Sequence, residues 1–288
     1  MFNILITGGS GQLGSELNLL SKEFKEHNFH FTNSKNLDIT DAKAIESLVK
    51  EKEISCIINC AAYTAVDKAE TDKVNADAVN NIAVRSLADI SKKYNCKLIH
   101  ISTDYVFDGK GHKPYSPEDL THPVNYYGAS KLAGEKAMLE INPENSMIIR
   151  TSWVYSSFGN NFVKTMLRLG NERDSLNVIY DQVGVPTYAR DLAHFILYKG
   201  LHFISESVNI YQYTNEGVCS WYDFAKEIME LSNLNCSVSP IPTVAYPTPA
   251  NRPHYSLMDK QTIKEDFNTQ IPYWKTSLKD CLKLLNKK

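Results

Sequence analysis

Ile4-Leu5-Ile6-Thr7-Gly8-Gly9-Ser10-Gly11-Gln12-Leu13-Gly14 is the stretch whose reading decides the fold. A short apolar run from Phe2 to Thr7 leads directly into Gly8-x-x-Gly11-x-x-Gly14. After it, Ser15 to Phe24 carries Leu17, Leu20 and Phe24 on one helical face. Strand, glycine turn and helix in this order predict a dinucleotide-binding start. Gly8 would permit the tight turn, and Gly11 would let a pyrophosphate approach the helix N–H groups beside Gln12 and Leu13. Gly14 would let helix and strand pack closely. The spacing departs from the more familiar Gly-x-Gly-x-x-Gly.

Outward from this turn, Phe29 to Thr32 reads as the second strand. A carboxylate near its end would hold a ribose 2′-hydroxyl. The segment here is Asn33-Ser34-Lys35-Asn36, with one lysine and no acid, which favours NADP(H) over NAD(H) without excluding the latter. Asp38 and Ile39 are candidates to border the adenine, and Thr40 or Asp41 to cap a helix over 42–50. Ile54 to Cys60 reads as a buried strand ending in Ala61-Ala62-Tyr63, small enough at its start for close cofactor approach. Residues 72–94 read as one long helix with Val74, Ala78, Ile82, Ser86 and Ile90 as its stripe.

Lys97 to Ser102 is a further strand, and it ends in Ser102-Thr103-Asp104. All three are candidates to orient a substrate oxygen. Downstream, Tyr126-Tyr127-Gly128-Ala129-Ser130-Lys131 opens a helix with Tyr127 and Lys131 four apart on one face. A free phenol, with a pKa of about 10, is a poor acid or base at neutral pH. A neighbouring ammonium would lower that value, so Tyr-x-x-x-Lys suits carbonyl reduction or alcohol oxidation. Trp153, at the carboxyl edge of a strand and its exit over 146–155, is placed to stack on a sugar or base, or simply to line a rim.

The second half alternates helices and strands up to a final amphipathic helix over 276–286. Between them, residues 238–255 hold five prolines and read as extended loop. The fold class that follows is α/β, a Rossmann-type doubly wound parallel sheet. Residues 1–154 and 181–211 form the dinucleotide-binding domain in this reading, and 155–180 with 212–288 form a smaller, discontinuous substrate lobe.

The chain has 288 residues, 43% hydrophobic and 22% charged, with a formal net charge of −2. The charge balance argues against nucleic-acid and anionic-membrane partners. The first residues read as a buried strand and not a secretory leader, and no apolar run is long enough for a bilayer. None of the six cysteines forms a Cys-x-x-Cys pair. Free thiols in a reducing cytoplasm are expected, with no zinc site.

Gly8-x-x-Gly11-x-x-Gly14, Ser102-Thr103 and Tyr127-x-x-x-Lys131, in that order, resemble the extended short-chain dehydrogenase/reductase family. Longer strings narrow the likeness to its dTDP-4-dehydrorhamnose reductase branch. They include residues 61–70, Ser102 to Gly109, Thr151-Ser152-Trp153-Val154-Tyr155 and Asp181 to Thr187. The resemblance implies reduction of the 4-keto group of a dTDP-sugar by NADPH or NADH. It implies that Tyr127 protonates the new alkoxide, that Lys131 holds the nicotinamide ribose and that Thr103, beside Asp104, orients the substrate. Trp153 would pack on the sugar. Asn251-Arg252-Pro253 resembles a C-terminal element of the same branch, which makes Arg252 a candidate for the diphosphate. Some relatives form homodimers and bind Mg²⁺; no motif here selects either. The competing readings are a related nucleotide-sugar epimerase or dehydratase, and a non-catalytic NADP-binding regulatory subunit of the same fold.

Overall fold

The structure, a computed structural model, describes residues 1–286. Lys287 and Lys288, the end of the expected substrate lobe, lie outside the described residues. The first half builds β1 (Asn3–Thr7), α1 (Gln12–Leu20), β2 (Asn28–Phe31), α2 (Ala42–Glu51), β3 (Cys56–Asn59), α3 (Val66–Ala69), α4 (Lys73–Asp77), α5 (Ala83–Lys93), β4 (Lys97–Thr103), α6 (Tyr126–Ile141) and β5 (Met147–Thr151). The second half adds β6 (Val154–Tyr155), α7 (Phe162–Glu172), β7 (Ser175–Ile179), β8 (Val183–Gly184), β9 (Thr187–Tyr188), α8 (Ala189–Tyr198), β10 (Asn209–Gln212), β11 (Cys219–Ser220), α9 (Trp221–Leu231), β12 (Ser237–Ile241), α10 (Gln261–Asp266) and α11 (Trp274–Leu285).

Six strands form one parallel sheet in the order β10-β5-β4-β3-β1-β2. The Rossmann-type reading of the sequence therefore holds. The inner strands β1, β3 and β5 are buried on both faces, which is why they read as nearly unbroken apolar runs. Alternation assigns the faces. Ile4, Ile6, Ile58 and Ile149 pack with Leu17 of α1 and Leu192 and Ile196 of α8. Leu5, Ile57, Leu98 and Ile148 pack with Ile45 of α2, Leu87 of α5 and Met138 of α6. From β1 the chain moves outward to β2, then crosses back to β3 on the other side. Parallel sheets open a ligand crevice at such a reversal, at the strands' carboxyl ends.

A third core gathers Tyr155 of β6 with Val163 and Met166 of α7, Phe224 and Ile228 of α9, and Trp274 and Leu278 of α11. It also takes Val185 and Tyr188. Ile263 and Ile271 pack instead with the first core. Ser220 caps α9 through a full capping box with Asp223.

Two expectations give way. Residues 72–94 are not one regular helix: α4 passes through a π turn at Ala78–Ile82 before α5 begins. A π turn adds a residue and so breaks the 3.6 count. Val74 and Ile82, expected inside, are 81% and 55% exposed, while Asn80 is fully buried. The proline-rich stretch is not all loop, because β12 pairs in parallel with β7 across Ser237↔Ser175 to Ile241↔Ile179. Pro240 is tolerated on that two-stranded edge, where its missing N–H breaks no second ladder. Among the described residues no helix is long and apolar enough to cross a membrane.

Candidate active site

The switch point opens into a cavity of about 820 Å³. On one side stand Gly8, Ser10, Gly11, Gln12 and Leu13 from the first turn. The geometry of that turn explains its glycines. Gly8 has φ +65°, and a Cβ there would lie 2.7 Å from the Ala61 nitrogen. A Cβ at Gly14 would lie 2.4 Å from the Gly8 carbonyl oxygen, so Gly14 sets the helix packing and does not line the cavity. At Gly11 a Cβ would meet only the Gly8 oxygen, at 3.1 Å, and otherwise fill the open cradle. Gly11 is also the N-cap of α1 and supplies no side-chain acceptor, leaving first-turn N–H groups for an anion. This cradle fits a dinucleotide pyrophosphate.

Asp38, Ile39, Ala61, Ala62 and Tyr63 line the same side. Asp38 accepts from both the backbone and hydroxyl of Thr40, which hold its carboxyl below the usual range. Asp41, not Thr40, caps α2. Asn33 and Ser34 reach the cavity, but exposed Lys35 does not line it. Asn80, turned inward by the π turn, accepts from Tyr63 N–H and donates to the Tyr63 carbonyl, fixing the wall after β3. It also meets Ser130 of α6 at 3.0 Å.

Thr103, Asp104, Tyr127 and Lys131 line the deeper part together. All three strand-end candidates reach the cavity, but the Ser102 hydroxyl donates to Glu135 of α6, which also holds Arg150 of β5. The Thr103 hydroxyl donates to Asp104 Oδ1 at 3.0 Å and accepts from Tyr105 N–H. Asn125 caps α6 by accepting from Gly128 N–H, which fixes the turn that presents Tyr127. Loss of water pushes the Tyr127 phenol up to about 12, against the opposing effect of its Thr103 hydrogen bond. The lowering expected from Lys131 is absent. Lys131 itself is almost wholly buried, donates to the Ile101 carbonyl at 2.7 Å, and is pushed down to about 8 by burial. Burial also lifts Asp104 to about 7, against the opposing hydrogen bonds of Ser256 and Thr103.

Trp153 also lines the cavity, from a left-handed backbone with φ +48° between β5 and β6. Its indole stacks on Trp221, with ring centroids 3.7 Å apart. Arg252 pairs with Asp67 at 2.8 Å and does not itself line the cavity, but its charge acts on Tyr105, which does. Trp221, Tyr105, Val79 and Asn160 line it without having been singled out. Nothing local in the sequence signals that α9, capped by Ser220, faces residues near 153. Among the described residues, no three His, Cys, Asp or Glu side chains are grouped to hold a metal ion.

A family model described as the RmlD substrate binding domain matches residues 2–287. The chain belongs to the RmlD family. Like its relatives, this RmlD family member is an NAD(P)-dependent oxidoreductase. The dTDP-4-dehydrorhamnose reductase of Aggregatibacter actinomycetemcomitans is 40% identical over 290 residues, spanning 97% of this chain and 98% of that one. A crystal structure of a dTDP-4-dehydrorhamnose reductase from Clostridium acetobutylicum superposes with a TM-score of 0.94 at 40% identity, covering 99% of each chain. Another, from Bacillus anthracis in complex with NADP, gives 0.92 at 38% identity, covering 98% of this chain and 99% of that one. The resemblance carried by the sequence motifs is thus to the family that the whole chain matches.

Proposed function

We propose that the protein reduces the 4-keto group of dTDP-4-dehydro-β-L-rhamnose with NADPH, or with NADH, to give dTDP-L-rhamnose. The observation that carries this reading is the meeting of Thr103, Tyr127 and Lys131 in the cavity that the Gly8–Gly11 turn enters. The names and full-length similarity of the relatives support the substrate, and the NADP complex of one relative supports the cofactor.

When bound, the nicotinamide supplies the hydride to the carbonyl carbon. The chain's own groups do the rest. Thr103 Oγ1 directs the substrate oxygen toward Tyr127, whose hydroxyl proton passes to that oxygen as negative charge develops on it. A phenol with a pKa near 12 is fully protonated at neutral pH, the state a donor requires. Lys131 has one donor on Ile101 and is left with others for the ribose of the cofactor. Asp104 braces Thr103 and, lining the cavity, is placed to meet a sugar hydroxyl. Trp153, backed by Trp221, offers a flat face to the sugar. In this reading residues 1–154 and 181–211 hold the dinucleotide, and 155–180 with 212–286 form the sugar-binding side. A reducing cytoplasm suits the six free thiols.

The test mixes protein, NADPH and the keto-sugar and follows loss of the nicotinamide absorbance. Stoichiometric oxidation with a 4-hydroxy product is expected. NADPH binding without oxidation would replace this reading with the regulatory-subunit one.

A further inference from the structure

Thr7, Asn59 and His100 are direct neighbours across β1, β3 and β4, in the registers Thr7↔Asn59 and Asn59↔His100. Their side chains therefore form one row on one face of the sheet. All three are buried, with His100 completely so. The row runs Thr7 Oγ1 to Asn59 Oδ1 at 2.6 Å, then Asn59 Nδ2 to His100 Nδ1 at 3.0 Å, then His100 Nε2 to Lys131 Nζ at 3.2 Å.

Donor and acceptor rules fix the protons along it. The Ala61 backbone N–H points at Asn59 Oδ1 at 3.3 Å, and a backbone N–H can only donate. The atom facing it is thus the amide oxygen, and the amide nitrogen faces His100. That nitrogen can only donate too, so His100 Nδ1 is the bare acceptor and the neutral ring carries its proton on Nε2. Burial holds the His100 pKa well below its usual value, which disfavours a second ring proton. An ammonium opposite an Nε2–H would set donor against donor. An amine resolves this: its lone pair accepts from Nε2–H, one N–H goes to the Ile101 carbonyl, and one stays free.

We propose that His100 is a positioning residue whose Nε2–H, fixed by the Thr7–Asn59 row, favours the uncharged amine of Lys131 over its ammonium until a cofactor arrives. The other groups around Lys131 agree. Cys60, just past the end of β3, is a neutral thiol, pushed up to about 12, and Tyr127 is a neutral phenol. Glu135, one turn along α6, is the remaining charge, and it is spent on Arg150 and Ser102. The amine would take up a proton when the anionic cofactor enters and leaves the ammonium better stabilised than the histidine contact allows. This inference rests on the dinucleotide reading of the cavity.

The test is calorimetric titration of the protein with NADPH at pH 8.5, in buffers of different ionisation enthalpy. With Lys131 near 8 in the free protein, roughly three quarters of a proton is taken up per NADPH bound. In His100→Gln the amide oxygen can accept from an ammonium, and the uptake falls by half or more. NADPH binding without proton uptake in the unmodified protein overturns the inference, as does unchanged uptake in His100→Gln. Failure to bind NADPH at all overturns the dinucleotide reading and this inference with it. Should His100→Gln fail to fold, ¹⁵N NMR of the unmodified protein reads the ring directly. A buried, non-titrating histidine protonated at Nε2 is expected, and protonation at Nδ1 overturns the proposal.

Discussion

Trp153 and Trp221 stack with their rings 3.7 Å apart and 15° from parallel, although 68 positions separate them in the chain. Gly184 makes room for the pair, since a Cβ there would lie 3.0 Å from the Trp153 ring. Aromatic stacking contributes about 1 kcal/mol beyond area burial, so Trp221→Ala should let Trp153 wander. Roughly a fivefold rise in KM for the sugar is expected, with NADPH affinity unchanged. Steady-state kinetics decide it, and an unaltered KM would mean the stack does not reach the substrate.

Asp104 yields a pH prediction. Its folded pKa of about 7 stands above the reference 3.8, because burial disfavours the carboxylate. The native state thus holds more protons between those values, and stability must fall as pH rises from about 4 to 7. The contribution is full below 4 and gone above 7, and amounts to about 4 kcal/mol at most. Asp104→Asn should flatten this part of the melting-temperature profile. A variant with the same slope as the parent would rule Asp104 out as its source.

Legibility in the sequence followed how local each signal was. The Gly8 to Gly14 turn, the Ser102-Thr103 strand end and the Tyr127/Lys131 spacing each lie within a few residues, and each reaches the cavity or its supporting turn. The stripe through Val74 and Ile82 misled because a π turn is invisible to a count of 3.6. His100 looked like any strand residue, since its partners are set by register with β1 and β3 and not by neighbours in the chain. Arg252 was read toward a diphosphate, yet it rests on Asp67, which arrives from 185 residues earlier.

Glu135 and Arg150 form an ion pair at 2.8 Å with both side chains almost fully buried. Arg150 also donates to the Pro117 carbonyl at 3.1 Å. Removing one partner strands a buried charge, which costs about 3–5 kcal/mol. Arg150→Met should therefore destabilise strongly, and Arg150→Met with Glu135→Leu should recover part of the loss. Urea midpoints give the comparison, and a single variant within about 1 kcal/mol of the parent would contradict it.

The glycine turn can be tested against an internal control. Gly14→Ala forces a methyl to 2.4 Å from the Gly8 oxygen, whereas at Gly200 the nearest atom is a flexible Ile99 methyl at 3.5 Å. Gly14→Ala should weaken NADPH binding at least tenfold or melt early, and Gly200→Ala should do neither. Equal behaviour of the two in a binding titration would count against the cradle.

The central claim is that Tyr127 gives its proton to the reduced carbonyl oxygen, and Tyr127→Phe tests it most directly. NADPH binding should stay within twofold of the parent, because the phenol makes no contact that shapes the glycine turn. Turnover of dTDP-4-dehydro-β-L-rhamnose should fall by about 10²–10⁴, the usual worth of a positioned general acid. A variant that binds NADPH and turns over at the parent rate would contradict the account.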